Sequence, residues 1–197
     1  TLYKDSLQLA FALSSRFKKG EHIVIWSPNS PEWVLIEYAA ALSGIVLVTA
    51  NPSLQEKELR YILENSNAVA LFLVPEFRGN PMVAIAKRAV VGNIAVRETI
   101  NISDHEALFN NSCENTTLPT VNPEDPAQIQ YTSGTTGFPK GALLSHLGLI
   151  NNADFYANRC GVTEGSTWVN IMPMFHTSGC GMVTLGCLNL ACRMVLV

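Results

Sequence analysis

No CxxC pair, no run of basic residues, no internal repeat and no low-complexity tract occurs in the 197-residue chain. Each absence removes a class of function. Without paired cysteine spacing there is no zinc-ribbon or zinc-finger site. The five cysteines, Cys113, Cys160, Cys180, Cys187 and Cys192, are odd in number. That count points to reduced thiols in a cytoplasmic protein rather than to a disulfide frame. Cys180 and Cys187 are spaced to share a helix face and read as buried packing residues. The only basic pairs, Lys18-Lys19 and Lys87-Arg88, stand isolated in a chain of net charge −3. The sequence therefore carries no nucleic-acid footprint.

Long apolar runs are missing too. The stretch 33–50 contains Glu37 and is broken by Ser43-Gly44, and 178–197 contains Asn189 and Arg193. Each reads as a buried helix followed by a buried strand, not as a membrane span. Thr1 opens without a basic flank and apolar core, so no secretory leader is expected, and the first residue is not Met. What the chain does have is a hydrophobic content of 48%. At this length roughly 70% of the unfolded surface can be buried, enough for one domain or one and a half.

The apolar residues alternate between two kinds of pattern. Leu7, Ala10, Phe11, Ser14 and Phe17 recur at helical spacing, closed by Lys18-Lys19-Gly20. Residues 22–26, 45–48 and 68–74 are short continuous apolar runs, the mark of strands buried on both faces. Pro31 stands at the first position of a helix reaching Ser43. Ser53 with Glu56 has the spacing of a capping box, ahead of a helix with Leu59, Ile62 and Leu63 on one face. A helix is expected over 81–89. Strands alternating with helices predict an α/β fold, a mostly parallel sheet with helices on both faces. Residues 92–126, rich in Asn, Thr and Pro, read as a surface connection with one short helix at 103–109. The pattern resumes with a strand at 127–131, a helix over 145–158, a strand at 168–171, a helix from Ser178 and a strand at 193–197. The division is thus 1–91, a first α/β segment; 92–126, a connection; and 127–197, a second segment.

The chemistry is concentrated in Tyr131-Thr132-Ser133-Gly134-Thr135-Thr136-Gly137-Phe138-Pro139-Lys140-Gly141. A loop that holds a polyphosphate needs converging backbone N–H groups, and Gly134 and Gly137 permit the close approach. It needs neutral donors, and Thr132, Ser133, Thr135 and Thr136 supply four hydroxyls. It needs positive charge, which Lys140 brings, with Pro139 stiffening its approach. The motif is not a Walker A loop, because Lys140 leads into Gly141-Ala142-Leu143-Leu144, a strand pattern, and not into a helix through Ser or Thr.

At these residues the chain resembles a known family. Positions 129–140 match the AMP-binding signature of adenylate-forming enzymes, which include acyl-CoA synthetases, nonribosomal-peptide adenylation domains and firefly-type luciferases. The likeness extends over nearly the whole chain: Pro28-Asn29-Ser30-Pro31-Glu32-Trp33, residues 44–48 with Asn51-Pro52, residues 58–63, and Ser145-His146. A second motif, Met172-Pro173-Met174-Phe175-His176-Thr177-Ser178-Gly179, resembles the family loop where acyl substrate meets ATP.

The resemblance implies an N-terminal piece of the family's large domain, closest in pattern to fatty-acyl-CoA ligases. It implies ATP-dependent activation of a carboxylic acid to an acyl-adenylate, then transfer to CoA. Thr132, Ser133, Gly134, Thr135, Thr136, Gly137 and Lys140 would bind the nucleotide. His176 would act catalytically, and Phe175, His176 and Gly179 would frame the acid. His22, His105 and His146 read as structural. Mg2+ is implied, but the glutamate that binds it in the family falls in later motifs not in these residues, as do the ribose-binding Asp, the hinge and the C-terminal domain with its catalytic Lys. The 197 residues alone are therefore expected to be inactive, with the activity belonging to a longer parent. Three alternatives stay open: a phosphate-loop kinase or ATPase, which would need the Walker Lys-Ser/Thr that is lacking here; a non-catalytic nucleotide-binding or interaction module of the same fold; and an adenylation domain for another acid.

Overall fold

The computed structural model describes residues 1–93, 95–110, 117–132 and 139–197. Its first half is an orderly alternation. Helix α1 (Leu2–Arg16) is followed by β1 (His22–Trp26), α2 (Pro31–Ser43), β2 (Val46–Ala50), α3 (Glu56–Asn65), β3 (Ala70–Leu73), α4 (Met82–Ala89) and β4 (Glu98–Asn101). After a short α5 (His105–Leu108) come β5 (Pro126–Thr132), β6 (Lys140–Ser145) and α6 (His146–Arg159). Beyond them lie β7 (Thr167–Asn170), a helical segment of π-type spacing (Ser178–Thr184) running into α7 (Leu185–Asn189), and β8 (Arg193–Leu196).

Six strands form one sheet in the order β4-β3-β1-β2-β5-β6. All neighbours pair parallel except β5 with β6, which pair antiparallel. The handedness of parallel crossovers explains the layering. From β1 to β2 the chain steps one way across the sheet, and from β2 to β3 it steps back past β1. Right-handed crossovers then put α2 and α3 on opposite faces. Alternate residues of the apolar strands serve the two layers. Ile23, Ile25 and Leu47 pack with Leu9, Leu13, Trp33 and Ile36 of α1 and α2. Val24, Trp26, Val46 and Val48 pack with Leu59, Leu63, Met82 and Ile85 of α3 and α4. The expected sheet covered on both faces is what the chain builds.

Local signals account for the helix ends. Ser30 caps α2 by accepting from the Trp33 N–H at 3.2 Å, with Pro31 at the first turn. The same helix stops at Gly44, whose φ of 64° is left-handed. Two expectations need correction, and one pairing has no signal in the sequence. The capping box of α3 is Gln55 with Glu58, two residues later than Ser53 with Glu56. Ser53 is instead turned back by its N–H donating to Asn51 Oδ1 at 2.9 Å. The stretch 92–126 is more than a connection, because Glu98–Asn101 joins the sheet as an edge strand parallel to β3. Finally, β7 does not extend the main sheet; it pairs parallel with β8 in a separate two-stranded sheet.

Candidate active site

Thr132 ends β5 and Lys140 begins β6, and the two are register partners across the hairpin. Both are exposed, and the Thr132 hydroxyl donates to the Lys140 carbonyl at 3.4 Å. Ser133, Gly134, Thr135, Thr136 and Gly137, the heart of the expected phosphate loop, lie outside the described residues, as does Cys113. Lys140 leads into a strand, as its sequence context requires. Helix α3 braces both flanks of the loop, a role the sequence did not announce. The Tyr61 hydroxyl donates to the Pro139 carbonyl at 3.0 Å, and the Tyr131 hydroxyl donates to Asn65 Oδ1 at 2.8 Å. The two tyrosine rings meet edge-on at 6.4 Å. A hydroxyl and an ammonium presented at the mouth of such a hairpin suit an anionic, phosphate-bearing ligand.

The second motif reaches the same end of the main sheet by a different route. Its strand, β7, belongs to the small sheet, yet the loop after it lies over the carboxyl ends of β1 and β2. The Thr49 hydroxyl of β2 donates to the Phe175 carbonyl at 2.8 Å. Asn29, just beyond β1, holds Met172 and Met174. Thr49 pairs with Gln130 in the β2–β5 register, and Thr132 lies two residues further along β5 on the same face. Two residues of strand span about 7 Å, so the Phe175 carbonyl, bonded to Thr49, and Thr132 lie toward the same carboxyl edge on one face of β2 and β5. That edge is where open α/β sheets bind ligands.

His176 is exposed, and Phe175 is half-buried. The Ser178 N–H donates to His176 Nδ1 at 3.3 Å, and the Ser178 hydroxyl lies 3.1 Å from the same nitrogen. With Nδ1 engaged as an acceptor, the neutral ring carries its proton on Nε2. Gly179 is buried, and the space where a Cβ would project is filled by its own loop: the Pro173 carbonyl oxygen would stand 2.4 Å away. Met174 is fully buried and anchors the loop in the core.

Beneath this loop runs a buried polar chain that sequence reasoning missed. Gln128 Nε2 donates to Glu37 Oε1 at 2.6 Å. Gln130 Nε2 donates to Gln128 Oε1 at 2.9 Å and to Cys180 Sγ at 3.2 Å. Thr49 Oγ1, 3.0 Å from Gln130 Oε1, completes the connection to Phe175. Burial pushes the Glu37 carboxyl up to about 8, against the opposing pull of the Gln128 bond. Burial, reinforced by Glu37, also raises the Cys180 thiol well above its usual range, so it stays protonated and is no nucleophile. A pocket of about 420 Å³ lies between α1, α2, α6 and α7, with Glu37, Gln128 and His146 in its wall. It adjoins the amino-terminal half of β5, away from Thr132. His146 takes the first position of α6 behind the Ser145 cap, and burial lowers its pKa. Among the described residues no cluster of three or more His, Cys, Asp or Glu can hold a metal ion.

The chain resembles known proteins along its whole length. A family model described as AMP-binding enzyme matches residues 1–197. The chain is 30% identical over 204 residues to a putative acyl-CoA synthetase, YngI, of Bacillus subtilis, which covers 90% of this chain and 37% of that protein. It is 32% identical over 198 residues to the mitochondrial medium-chain acyl-CoA ligase ACSF2 of Bos taurus, covering 85% of this chain and 32% of the relative. The chain thus spans about a third of the length of these curated relatives. Among solved structures, o-succinylbenzoate CoA synthetase of Bacillus subtilis, in complex with its acyl-adenylate intermediate, superposes with a TM-score of 0.83 at 27% identity, covering all of this chain and 48% of that one. With the family model matching from end to end, the chain belongs to the AMP-binding family of adenylate-forming enzymes.

Proposed function

We propose that the protein carrying these residues activates a carboxylic acid, in first place a fatty acid, with ATP and passes the acyl group to CoA. In the first half-reaction a carboxylate oxygen attacks the α-phosphorus. The bond to the bridging oxygen breaks, and acyl-adenylate and pyrophosphate result. In the second, the thiol of CoA attacks the acyl carbon, AMP leaves, and the thiol proton goes to solvent. The names of the acyl-CoA synthetase and medium-chain ligase relatives support a fatty acid; the o-succinylbenzoate enzyme among the structural neighbours keeps other acids in the test. The free thiols at Cys160, Cys180, Cys187 and Cys192 support a reducing, cytoplasmic setting. No helix among the described residues is long and apolar enough to cross a membrane.

The chain's own residues would do three things. Thr132 and Lys140, with Ser133, Gly134, Thr135, Thr136 and Gly137 between them, would hold the phosphates and steady the departing charge. His176 would donate from Nε2 to the carboxylate oxygen not making the attack, orienting the acid without a fixed charge in an apolar loop. Phe175 and Gly179 would shape the acid's end of the site, Gly179 through the tight loop it allows. Mg2+, the cation expected with ATP in this family, finds no ligand cluster among the described residues, and no step is routed through it.

The observation that carries this reading is the His176 ring, fixed by Ser178 and presented on a loop bonded to β2, beside the strand that ends in the phosphate-loop signature. The test is acid-dependent pyrophosphate exchange by the full-length protein against a panel of fatty and aromatic acids. His176→Ala should reduce exchange and change its dependence on acid concentration while leaving the KM for ATP within about threefold, the size of one weak hydrogen bond. A lowered melting temperature with unchanged exchange would assign His176 to packing alone.

A further inference from the structure

We propose that Glu37, Gln128, Gln130 and Thr49 form a one-directional hydrogen-bond relay that positions the 172–179 loop, with the Glu37 carboxylic acid as first donor and the Phe175 carbonyl as last acceptor. The proposal rests on acid activation as the function of that loop. It makes four residues outside the 172–179 loop into positioning residues for His176.

A neutral Glu37 carries an unsatisfied proton. Glu37 is 3% exposed, and its Oε2 has no hydrogen-bond partner among the described residues. With Gln128 Nε2 donating to Oε1, a neutral Glu37 must keep its proton on Oε2, buried and without an acceptor. An unmade buried donor is costly. The other end has a matching difficulty. The single hydrogen of the Thr49 hydroxyl faces two acceptors, Phe175 O at 2.8 Å and Gln130 Oε1 at 3.0 Å. A carboxamide has nearly the same shape with its oxygen and nitrogen exchanged, so the direction of each bond is decided by its partners.

Turning both glutamine carboxamides about their last bond keeps every heavy atom in place and removes both difficulties. The Glu37 acid then donates to the Gln128 oxygen, across the 2.6 Å separation that suits an O–H donor. Gln128 donates to Gln130 across 2.9 Å, and Gln130 donates to the Thr49 oxygen across 3.0 Å. Thr49 is left with one acceptor, the Phe175 carbonyl, and the Cys180 thiol can donate to the Gln130 oxygen across 3.2 Å. Each link in the line then joins one donor to one acceptor, and polarisation along it strengthens the last bond. Asn29 holds the loop from the other side. Its Nδ2 donates to Met172 O at 3.0 Å, and its Oδ1 accepts from the Met174 N–H at 2.8 Å. The loop's backbone is therefore fixed at residues 172, 174 and 175, immediately before His176.

The relay depends on one proton, and Glu37 is the group that loses it. The titratable side chains around Glu37 are Tyr38 on its own helix, Tyr3 of α1 and His146 of α6 in the wall of the same pocket, Cys180 on the π-type segment, and Cys187 on α7 next to Tyr38. Burial holds Tyr38 and Cys180 above their usual ranges, Cys187 is pushed up to about 11, and His146 is lowered. All four are neutral near pH 8. Ionised Glu37 can only accept, which reverses the line and leaves the single Thr49 hydrogen divided between Gln130 Oε1 and the Phe175 carbonyl, weakening the last bond.

The experiment uses the full-length protein with Thr49→Val, Thr49→Ser and Glu37→Gln, reading pyrophosphate exchange and amide hydrogen exchange of 172–177. Thr49→Val should raise the KM for the acid roughly three- to tenfold, the loss of one hydrogen bond, leave the KM for ATP unchanged and speed hydrogen exchange of the loop. Thr49→Ser should restore all three. Wild type should lose affinity for the acid as pH rises through about 8, whereas Glu37→Gln, whose amide still donates to Gln128, should not. Equal impairment in the Val and Ser variants, unchanged loop exchange in Thr49→Val, or the same pH profile in wild type and Glu37→Gln would overturn the relay. Absence of acid-dependent exchange in the wild type would overturn the proposed function instead, and loop exchange would still decide the relay.

Discussion

Replacing Glu37 by Gln should flatten the dependence of stability on pH, and the size of the effect follows from the burial of one carboxyl. In the unfolded chain Glu37 ionises around 4.5; in the folded chain burial pushes it up to about 8. The sign runs as for any acid whose folded pKa is raised. Below pH 4.5 both states hold the proton, and there is no penalty. Between 4.5 and about 8 the unfolded state has lost its proton while the folded state keeps it, so stability falls as pH rises. The fall is about 1.4 kcal/mol per pH unit, or about 5 kcal/mol across the window. Glutamine has the same shape and no proton to lose. Wild type and variant should therefore be of nearly equal stability at pH 4.5, with the variant ahead by about 3 kcal/mol at pH 7.

Urea unfolding at several pH values between 4.5 and 8 measures this, with fluorescence of the fully buried Trp26 and Trp33 as the probe. Other titrating groups contribute equally to both proteins and cancel in the difference. Glu21, Glu56 and Asp125 are held below the usual carboxylate range, chiefly by Arg97, Arg88 and the Asn122 N–H, and act on the acid side. His146, lowered by burial, adds stability as pH rises through its ordinary range. Parallel curves for the two proteins between pH 5 and 8 would refute the reasoning, because they would mean that Glu37 is ionised in the folded state.

Two further outcomes follow from single contacts. Gly179→Ala puts a methyl group 2.4 Å from the Pro173 carbonyl oxygen, where backbone must move. A cost of about 1–3 kcal/mol and a loss of acid-dependent exchange are expected, and a thermal melt with exchange at saturating ATP checks both; unchanged values in both would show that the 172–179 loop tolerates the displacement. Lys140→Ala should raise the KM for ATP roughly ten- to a hundredfold, the worth of a charge-assisted bond, and leave the ranking of acids as it was. A changed ranking with intact ATP kinetics would detach Lys140 from the phosphates.

What could be read from the sequence follows how local each signal is. The central strands β1, β2 and β3 were legible because each is a continuous apolar run serving two helical layers, and the bounds of α2 were legible because Ser30, Pro31 and Gly44 mark them. The edge strand β4 was not. Of Glu-Thr-Ile-Asn only Ile100 is buried, so the segment carries too little apolar pattern to stand out from a loop. Capping at Ser53 failed because Gln55 with Glu58 offers the same spacing two residues on, and Asn51 claims the turn before it. The separate pairing of β7 with β8 was beyond reach for another reason: its apolar pattern fits either sheet, and only tertiary contact decides.

The candidate site divides along the same line. The phosphate-loop signature and the His176 motif are contiguous in sequence and were legible as words. The residues beneath them are not contiguous. Thr49 is the one polar residue before Ala50 in β2, Gln128 and Gln130 interrupt an apolar β5, and Glu37 breaks an apolar helix. Taken singly, each looks like a local exception to burial. The register gives them a common meaning, because Leu47 pairs with Gln128 and Thr49 with Gln130, so three of the four exceptions fall on one face of two adjacent strands, and Glu37 on α2 meets them there. A polar residue in a buried parallel strand must find a polar partner, and at alternate positions on one strand those partners have to form a line rather than a pair. That line points along β5 toward its carboxyl end, where Thr49 hands it to Phe175. Polar residues at period two in an otherwise apolar strand, directly ahead of a ligand-binding loop, are thus a signal that sequence reading can use once the pairing of that strand is known.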